Sequence, residues 1–184
     1  MKKLLFATLF ILLFITSTYS QTKLSYGIKT GLSTAHVKAD RFNSSKNNSS
    51  YFFGGYTELK FTNSFSLQTE VLYYKHKTSA FVTNDIQRTY NYNYLKFPVL
   101  AKWNLTETIS LEFGPSIDYF LGQTGSIKYE DPEKYNITGV LGTSYKLTEK
   151  LFLNVNYTKD FSNSILSNRN SSLNGFSFGV GFKL

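Results

Sequence analysis

The chain has 184 residues, with 20 Lys and Arg against 12 Asp and Glu, so its formal net charge is +8. This length suits one domain with a single core or a single barrel. Cysteine is absent from the sequence, which excludes disulfides, thiolate zinc sites and cysteine nucleophiles. Aromatic residues make up 17% of the chain, and this content excludes intrinsic disorder.

The first segment, residues 1–20, has the pattern of a secretory signal peptide. Two lysines precede an apolar run over residues 4–15, and small residues stand at Thr18 and Ser20. The pattern predicts cleavage after Ser20 and a mature barrel domain over residues 21–184, which keeps 18 Lys and Arg against 12 Asp and Glu. An uncleaved membrane anchor is disfavoured because the apolar run is too short to span a bilayer comfortably.

From Leu24 onward, apolar and polar residues alternate with a period of two in eight successive segments. In the fifth segment, for example, Ile109 and Leu111 fall on one face, and Ser110 and Glu112 fall on the other. Alternation at this period is typical of a half-buried strand, and no segment has a sustained helical period. The predicted fold class is all-β.

The connections between these segments alternate in length. Short connections rich in Asn, Ser and Thr are predicted at residues 62–65, 104–108 and 148–150. Longer polar loops are predicted at residues 36–50, 78–89, 122–134 and 162–172. Because short and long connections alternate around eight strands, all the long loops fall on one rim. The sequence therefore predicts an eight-stranded antiparallel up-and-down transmembrane β-barrel, with short periplasmic turns, in the cell outer membrane.

Alternation alone leaves a second barrel open, the soluble lipocalin-like barrel that points its apolar face inward to bind a lipid. The membrane barrel is favoured by strands of about ten to twelve residues, which match the length needed to cross a bilayer at a tilt. Aromatic residues also collect near the predicted strand ends, as at Tyr26, Tyr73, Trp103 and Tyr157. The apolar last strand would be an exposed edge in a soluble protein.

Three stretches carry a family resemblance. The last ten residues read GFSFGVGFKL, residues 65–73 read FSLQTEVLY, and residues 94–102 read YLKFPVLAK. They resemble the closing, third and fourth strands of the Bacteroidota outer membrane β-barrel family, often described as PorT-like. The sequence departs from that pattern at Lys96, where an acidic residue is usual, and at Leu184, where an aromatic residue is usual. The resemblance covers the mature chain and implies an accessory role in type IX secretion or gliding.

The polar face of the predicted strands carries charged residues into a narrow lumen. Nine of them form the predicted structural charge network: Lys29, Glu58, Lys60, Glu70, Lys96, Lys102, Glu112, Asp118 and Asp160. Isolated charges would be costly in such a lumen, whereas paired ones are tolerated. Eight strands leave an interior just wide enough for side chains, so we expect a salt-bridged plug. A small pore or proton path lined by the same groups is the alternative.

An enzymatic role is not expected, and neither a catalytic, a cofactor nor a metal site is predicted. The histidines are His36 and His76, and Ser33 and Ser79 lie three residues from them. A spacing of three on a strand places the two side chains on opposite faces, so a nucleophile–base pair is disfavoured. Both histidines are predicted to be exposed at the outer rim. A lipid-modifying outer membrane enzyme remains the rival class.

The basic surplus points to the expected partners. Nine basic residues lie on or near the predicted outer rim: Lys38, Arg41, Lys46, Lys75, Lys77, Arg88, Lys128, Lys134 and Arg169. Docking to lipopolysaccharide phosphates and simple solubility both explain them. We expect a monomer that contacts outer-membrane lipid and lipopolysaccharide, the barrel-assembly machinery during insertion, and secretion-system or surface ligands through its loops. Nucleic acid is not an expected partner. The expected role is structural or loop-presenting, in binding or adhesion.

Overall fold

The computed structural model describes residues 22–38, 48–83, 86–124, 134–161 and 172–184. These residues form eight strands: β1 (Lys23–Lys38), β2 (Asn48–Lys60), β3 (Phe65–Thr83), β4 (Ile86–Asn104), β5 (Ile109–Thr124), β6 (Tyr135–Lys146), β7 (Leu151–Asp160) and β8 (Ser172–Lys183). Each strand pairs antiparallel with the next, and β8 pairs with β1, so the sheet is a closed barrel. The predicted eight-stranded up-and-down barrel is confirmed. In the described part, no helix is long and apolar enough to cross a membrane.

Three four-residue turns close one end of the barrel, at residues 61–64, 105–108 and 147–150. Each has an apolar residue, then a threonine, and the same hydrogen bonds recur. The threonine Oγ1 accepts from the backbone N–H groups two and three residues later, at distances between 2.9 and 3.3 Å, in the turns of Thr62, Thr106 and Thr148. The short turns predicted from composition are thus three copies of one structure.

The long β3–β4 hairpin corrects the prediction of a loop over residues 78–89. The two strands remain paired there, from Thr78 opposite Tyr90 to Thr83 opposite Ile86, and only residues 84–85 separate them. A hairpin satisfies its backbone groups within itself, so it can extend beyond the membrane without an apolar face. The polar composition of these residues is therefore compatible with paired strands as well as with a loop.

A bulge lies in the β4–β5 pairing at the end opposite the short turns. Asn93 pairs with Gly122 and Tyr94 pairs with Phe120, so β5 has one residue more than β4 at this point. Gly122 has a φ of 152°, a backbone conformation that other residues rarely adopt. The predicted loop over residues 122–134 accordingly begins later, because β5 continues to residue 124.

The barrel is polar inside and apolar outside. Among the described residues, eighteen polar side chains are buried, against six apolar or aromatic ones. Apolar side chains such as Ile28, Phe113 and Phe178 are more than half exposed on the outer wall. This orientation contradicts the lipocalin-like alternative, whose apolar face would point inward, and it matches a barrel surrounded by lipid.

Aromatic side chains lie at both ends of the outer apolar wall. At the end opposite the short turns, outward-facing rings form three tilted pairs with centroids 5.0 to 5.3 Å apart: Phe53–Tyr73, Tyr119–Tyr135 and Tyr157–Phe176. Trp103 and Tyr145 are exposed near the short turns. Eight residues separate Tyr73 from Phe65, which lies opposite Trp103, and ten separate Tyr135 from Tyr145. These separations are close to the strand length needed to cross a bilayer. We call the end with the three ring pairs the outer end.

Candidate functional site

The lumen contains ion pairs at three heights, and they make up the strongest polar cluster of the described residues. The upper pair, nearest the outer end, is Lys96–Asp118 at 2.8 Å, and the middle pair is Lys29–Glu70 at 2.6 Å. The lower group, nearest the short turns, is Lys102 with Glu58 at 3.3 Å and Glu112 at 3.6 Å. All but Glu58 are buried. Seven of the nine residues of the predicted charge network therefore meet in the lumen.

Two of these pairs follow directly from strand register. Lys96 lies opposite Asp118, and Lys102 lies opposite Glu112, on the adjacent strands β4 and β5. Directly opposed residues of an antiparallel pair share a face and bring their side chains together, so opposite charges there are favourable. The sequence places the members of each pair on the same face by alternation alone.

The Lys29–Glu70 pair joins strands that are not neighbours. Lys29 is on β1 and Glu70 is on β3, and the residue of β2 opposite Lys29 is Gly54. A Cβ at Gly54 would lie 2.0 Å from the Val71 carbonyl oxygen, so only glycine fits at this close approach. Because Gly54 has no side chain, the Lys29 ammonium can cross β2 to reach Glu70.

Neutral side chains connect the middle and lower ion pairs. The Gln68 amide donates to Glu70 Oε1 at 2.5 Å, and the Lys102 ammonium donates to the Gln68 Oε1 at 3.4 Å. The Ser66 hydroxyl donates to Glu58 Oε1 at 2.7 Å. These bonds satisfy carboxylate lone pairs that a lone ion pair would leave open, which a buried charge requires.

The upper pair is supported in the same way. The Ser116 hydroxyl donates to Asp118 Oδ1 at 2.7 Å, and the Thr138 hydroxyl donates to Asp118 Oδ2 at 3.4 Å. The Lys96 ammonium also lies 4.8 Å from the centre of the Tyr74 ring, a cation–π distance. Both charges of the pair thus have several partners.

Two predicted members of the charge network are not part of the three groups of ion pairs described above. Lys60 is half-buried near the short turns and forms no ion pair with a described carboxylate. Asp160 lies at the outer end, where its backbone N–H donates to Asn174 Oδ1 at 3.0 Å.

The lumen is filled with side chains around these ion pairs. A cavity of about 10 Å³ remains between the upper and middle pairs, bordered by Glu70, Lys96 and Asn156 among others. That volume is about enough for one water molecule. Buried polar atoms without a hydrogen bond in the described part include both carboxylate oxygens of Glu112 and both amide atoms of Asn154.

The prediction that His76 is exposed at the rim is wrong. His76 is buried, and the Ser50 hydroxyl lies 2.5 Å from its Nδ1. The Tyr74 ring stacks on the imidazole and the Tyr94 ring meets it edge-on. β3 continues seven residues beyond His76, so the residue lies within a strand on the lumen face. Of the other predicted candidates, Ser33 is buried, and the side chains of His36 and Ser79 lie outside the described residues.

Spacing along the chain gives no sign of the Ser50–His76 contact. The two residues are 26 positions apart, and the pairing of β2 with β3 sets Ser50 opposite His76. A serine hydroxyl beside an imidazole is the first half of a nucleophile–base arrangement, which also needs a group that orients the base. The imidazole Nε2 has no hydrogen-bond partner in the described part. Nor do three His, Asp or Glu side chains there come together as a metal site.

The comparisons with known proteins agree with this architecture. Residues 6–183 match the model of the outer membrane protein beta-barrel domain. The chain belongs to this family. It is an outer membrane protein with an eight-stranded barrel.

Solved barrels share the fold at low sequence identity. Neisserial surface protein A is 13% identical, with a TM-score of 0.62 over 88% of this chain and 99% of that chain. Ail, the attachment invasion locus protein of Yersinia pestis, is 12% identical, with a TM-score of 0.56 over 88% and 99%. OprG of Pseudomonas aeruginosa is 14% identical, with a TM-score of 0.50 over 89% and 97%. No curated protein matches the chain by sequence.

Proposed function

We propose that this protein is a closed, non-enzymatic barrel whose outer connections form a binding surface at the cell exterior. The main observation in support of this proposal is that side chains fill the lumen. Three buried lysines are held there by four carboxylates, and the cavity beside them is about 10 Å³. A lumen packed in this way favours neither a solute path nor a substrate pocket. Recognition is then left to the outer ends of the strands and the segments that join them.

Charge favours an anionic ligand. Nine basic residues are predicted at the outer rim. The structure describes the side chains of three of them, Lys75, Lys77 and Lys134. Ail was crystallised in complex with sucrose octasulfate, a heparin analogue. We extend that ligand class, a sulfated or phosphorylated polyanion, to this chain because multiple lysines and arginines attract such ligands.

Retention on immobilised heparin tests the ligand class. We expect the full chain in detergent micelles to be retained at low salt and to elute as salt increases. Replacing Arg41, Lys46, Lys128 and Arg169 with glutamine should lower the eluting salt concentration. The matched control replaces four lysines near the short turns, Lys23, Lys60, Lys150 and Lys183, with glutamine and should elute like the wild type. A wild-type chain that flows through at low salt would reject the ligand class.

Planar bilayer recordings separate this proposal from a small pore. The paired lumen charges favour silent bilayers, because moving Lys29, Lys96 or Lys102 out of the way would leave a carboxylate unpaired. Reproducible single-channel steps from the purified chain would reject the closed barrel in favour of a pore.

A lipid hydrolysis assay separates it from a lipid-modifying enzyme. Ser50 and His76 are the candidates for such chemistry, and both are buried in the lumen. We expect no fatty acid release from phospholipid or lipid A by the wild-type chain. Release that is lost in both Ser50→Ala and His76→Gln would establish the rival function.

The PorT-like resemblance of the last strand supports a more specific form of the function, an accessory role in secretion. That role predicts that crosslinking in intact cells captures a component of a secretion system through the outer segments.

Export through a cleaved signal peptide is also proposed. The mature chain should begin at residue 21 in purified outer membranes, and a start at Met1 would contradict cleavage.

A further inference from the structure

Two lysines project from the lipid-facing wall just beyond the aromatic residues of the outer end. Val71 and Tyr73 alternate with the lumen-facing residues of β3 and point away from the lumen. Lys75 and Lys77 continue the same face toward the outer end; Lys75 is half-buried and Lys77 is exposed. Their ammonium groups therefore lie outside the barrel, on the wall that contacts the outer leaflet.

Strand register surrounds both lysines with polar side chains. Tyr51, Lys75 and Asn93 lie side by side in one row across β2, β3 and β4. Asn91 lies opposite Lys77 in the next outward-facing row. We call these five residues, Tyr51, Lys75, Lys77, Asn91 and Asn93, the outer-leaflet patch. Directly paired residues share a face of the sheet, so all five face outward.

The height of the patch follows from the aromatic residues below it. The rings of Phe53 and Tyr73 form an outward pair 5.3 Å apart, and the Tyr73 hydroxyl donates to Asn93 Oδ1 at 3.0 Å. Tyrosines of this kind mark the boundary between hydrocarbon and headgroups. A strand rises about 3.4 Å per residue, so Lys75 and Lys77 lie about 7 Å and about 14 Å along β3 from Tyr73. The tilt of barrel strands shortens both distances along the membrane normal, which places the two ammonium groups at the level of the headgroups.

No described carboxylate neutralises the patch. The acidic side chains of the described part are in the lumen or in the short turns: Glu58, Glu70, Glu107, Glu112, Asp118, Glu149 and Asp160. Each ion pair among the described residues involves another lysine. The outer-leaflet patch thus offers two cationic donors next to two amides and a phenol.

We propose that the outer-leaflet patch binds a phosphate group of lipopolysaccharide. Lysine ammonium groups bind phosphate as point charges, and neighbouring amide and hydroxyl groups add hydrogen bonds to the remaining oxygens. The apolar wall below the patch, including Phe53 and Tyr73, lies where the acyl chains of the same lipid would run. A lipid satisfies both the charge and the apolar surface, whereas a soluble anion would use the charge alone.

Thermal unfolding in bilayers of defined lipid tests the site. The full chain is reconstituted in nanodiscs with lipid A or with chemically dephosphorylated lipid A, and the loss of the heat-modifiable gel band gives a midpoint temperature. We expect the wild type to have a higher midpoint with intact lipid A. In the double variant Lys75→Gln, Lys77→Gln, the difference in midpoint temperature between the two lipids should be at most half of the wild-type difference. In dephosphorylated lipid A, the double variant should have the same midpoint as the wild type.

Two further variants keep the test specific. Lys75→Arg with Lys77→Arg retains both charges and should retain the difference between the two lipids. Lys23→Gln with Lys150→Gln removes the same charge near the short turns and should also retain it. Equal wild-type midpoints in both lipids would overturn the proposal. So would a difference that survives in the Lys75→Gln, Lys77→Gln variant, or one that the Lys23→Gln, Lys150→Gln variant loses equally.

Discussion

Lys29 and Glu70 hold opposite charges 2.6 Å apart, with side chains 0% and 1% exposed. Removing one partner of such a pair leaves an uncompensated buried charge, which costs far more than the pair contributes. The exposed pair Lys146–Glu149 makes a matched comparison, because its side chains are 41% and 91% exposed at 3.1 Å. Water solvates each of its partners when the other is removed.

We therefore predict that Glu70→Gln lowers the free energy of unfolding by about 3–5 kcal/mol. The control Glu149→Gln should lower it by no more than about 1 kcal/mol. Urea unfolding in lipid vesicles measures both, with fluorescence from Trp103, the single tryptophan of the chain, as the probe. Equal losses in the two variants would mean that water in the lumen replaces Glu70 as the partner of Lys29.

The sequence predicted the lumen face of these charged residues, and it could not predict all their partners. Alternation places Lys96 and Asp118 on one face, and their pairing follows once β4 and β5 are adjacent. The Lys29–Glu70 pair crosses an intervening strand, so it depends on barrel geometry and on the missing side chain of Gly54. His76 was misplaced because a polar hairpin was taken for a loop.

Among the elements, the three short turns share one hydrogen-bonding scheme. In each turn, a threonine hydroxyl accepts from two backbone N–H groups, and the first two N–H groups of the turn donate to one carbonyl oxygen. Composition predicted the turns because Asn, Ser and Thr favour them. The shared apolar–Thr start was visible in the sequence at Phe61, Leu105 and Leu147, and it marks the turn boundary better than composition does.

Replacing the three turn threonines with valine removes the acceptors and keeps the side-chain shape. We predict that the triple variant at Thr62, Thr106 and Thr148 has a free energy of unfolding about 3 kcal/mol lower than the wild type, at about 1 kcal/mol for each turn. The triple serine variant retains the hydroxyl groups and should lose less than half as much. Urea unfolding in vesicles again gives the comparison. Indistinguishable valine and serine variants would show that the backbone bonds alone hold the turns.

The β8 strand depends on small residues at its lumen-facing positions. A Cβ at Gly181 would lie 2.1 Å from the Phe152 ring, whereas a Cβ at the lipid-facing Gly55 would meet its nearest atom at 3.6 Å. We predict that Gly181→Val destabilises the barrel by about 1–3 kcal/mol through overpacking. Gly55→Val should be close to neutral in the same unfolding measurement. A neutral Gly181→Val would mean that the Phe152 ring moves into free space in the lumen.

For the whole molecule, the polar interior and the apolar exterior have one physical cause. Hydrocarbon cannot hydrogen-bond backbone groups, so a sheet that crosses a membrane must close on itself. Closure of eight strands leaves a lumen too narrow for solvent, and its side chains must then satisfy one another. The period-two pattern specified these two faces, but the direction of the apolar face is decided by the solvent, which is lipid here.

Closure of the barrel also predicts at which strand positions a proline substitution allows the barrel to fold. Val180 is in the middle of β8, paired with Thr30 of β1 and Leu153 of β7, so its backbone groups are held within the membrane. Val180→Pro removes an N–H from this ladder, and lipid offers the freed carbonyl no replacement partner. We predict that this variant loses the band that shifts on boiling, and that Val180→Ala keeps it.

Ala80 provides the contrast outside the membrane. Its backbone pairs with Arg88 in the part of the β3–β4 hairpin that extends beyond the aromatic residues of the outer end. Water can bond the groups that Ala80→Pro frees there, so we expect the heat-modifiable band to survive. Loss of the band in both proline variants would show that the hairpin is needed for folding. Survival in both would mean that the β1–β8 seam is not what closes the barrel in lipid.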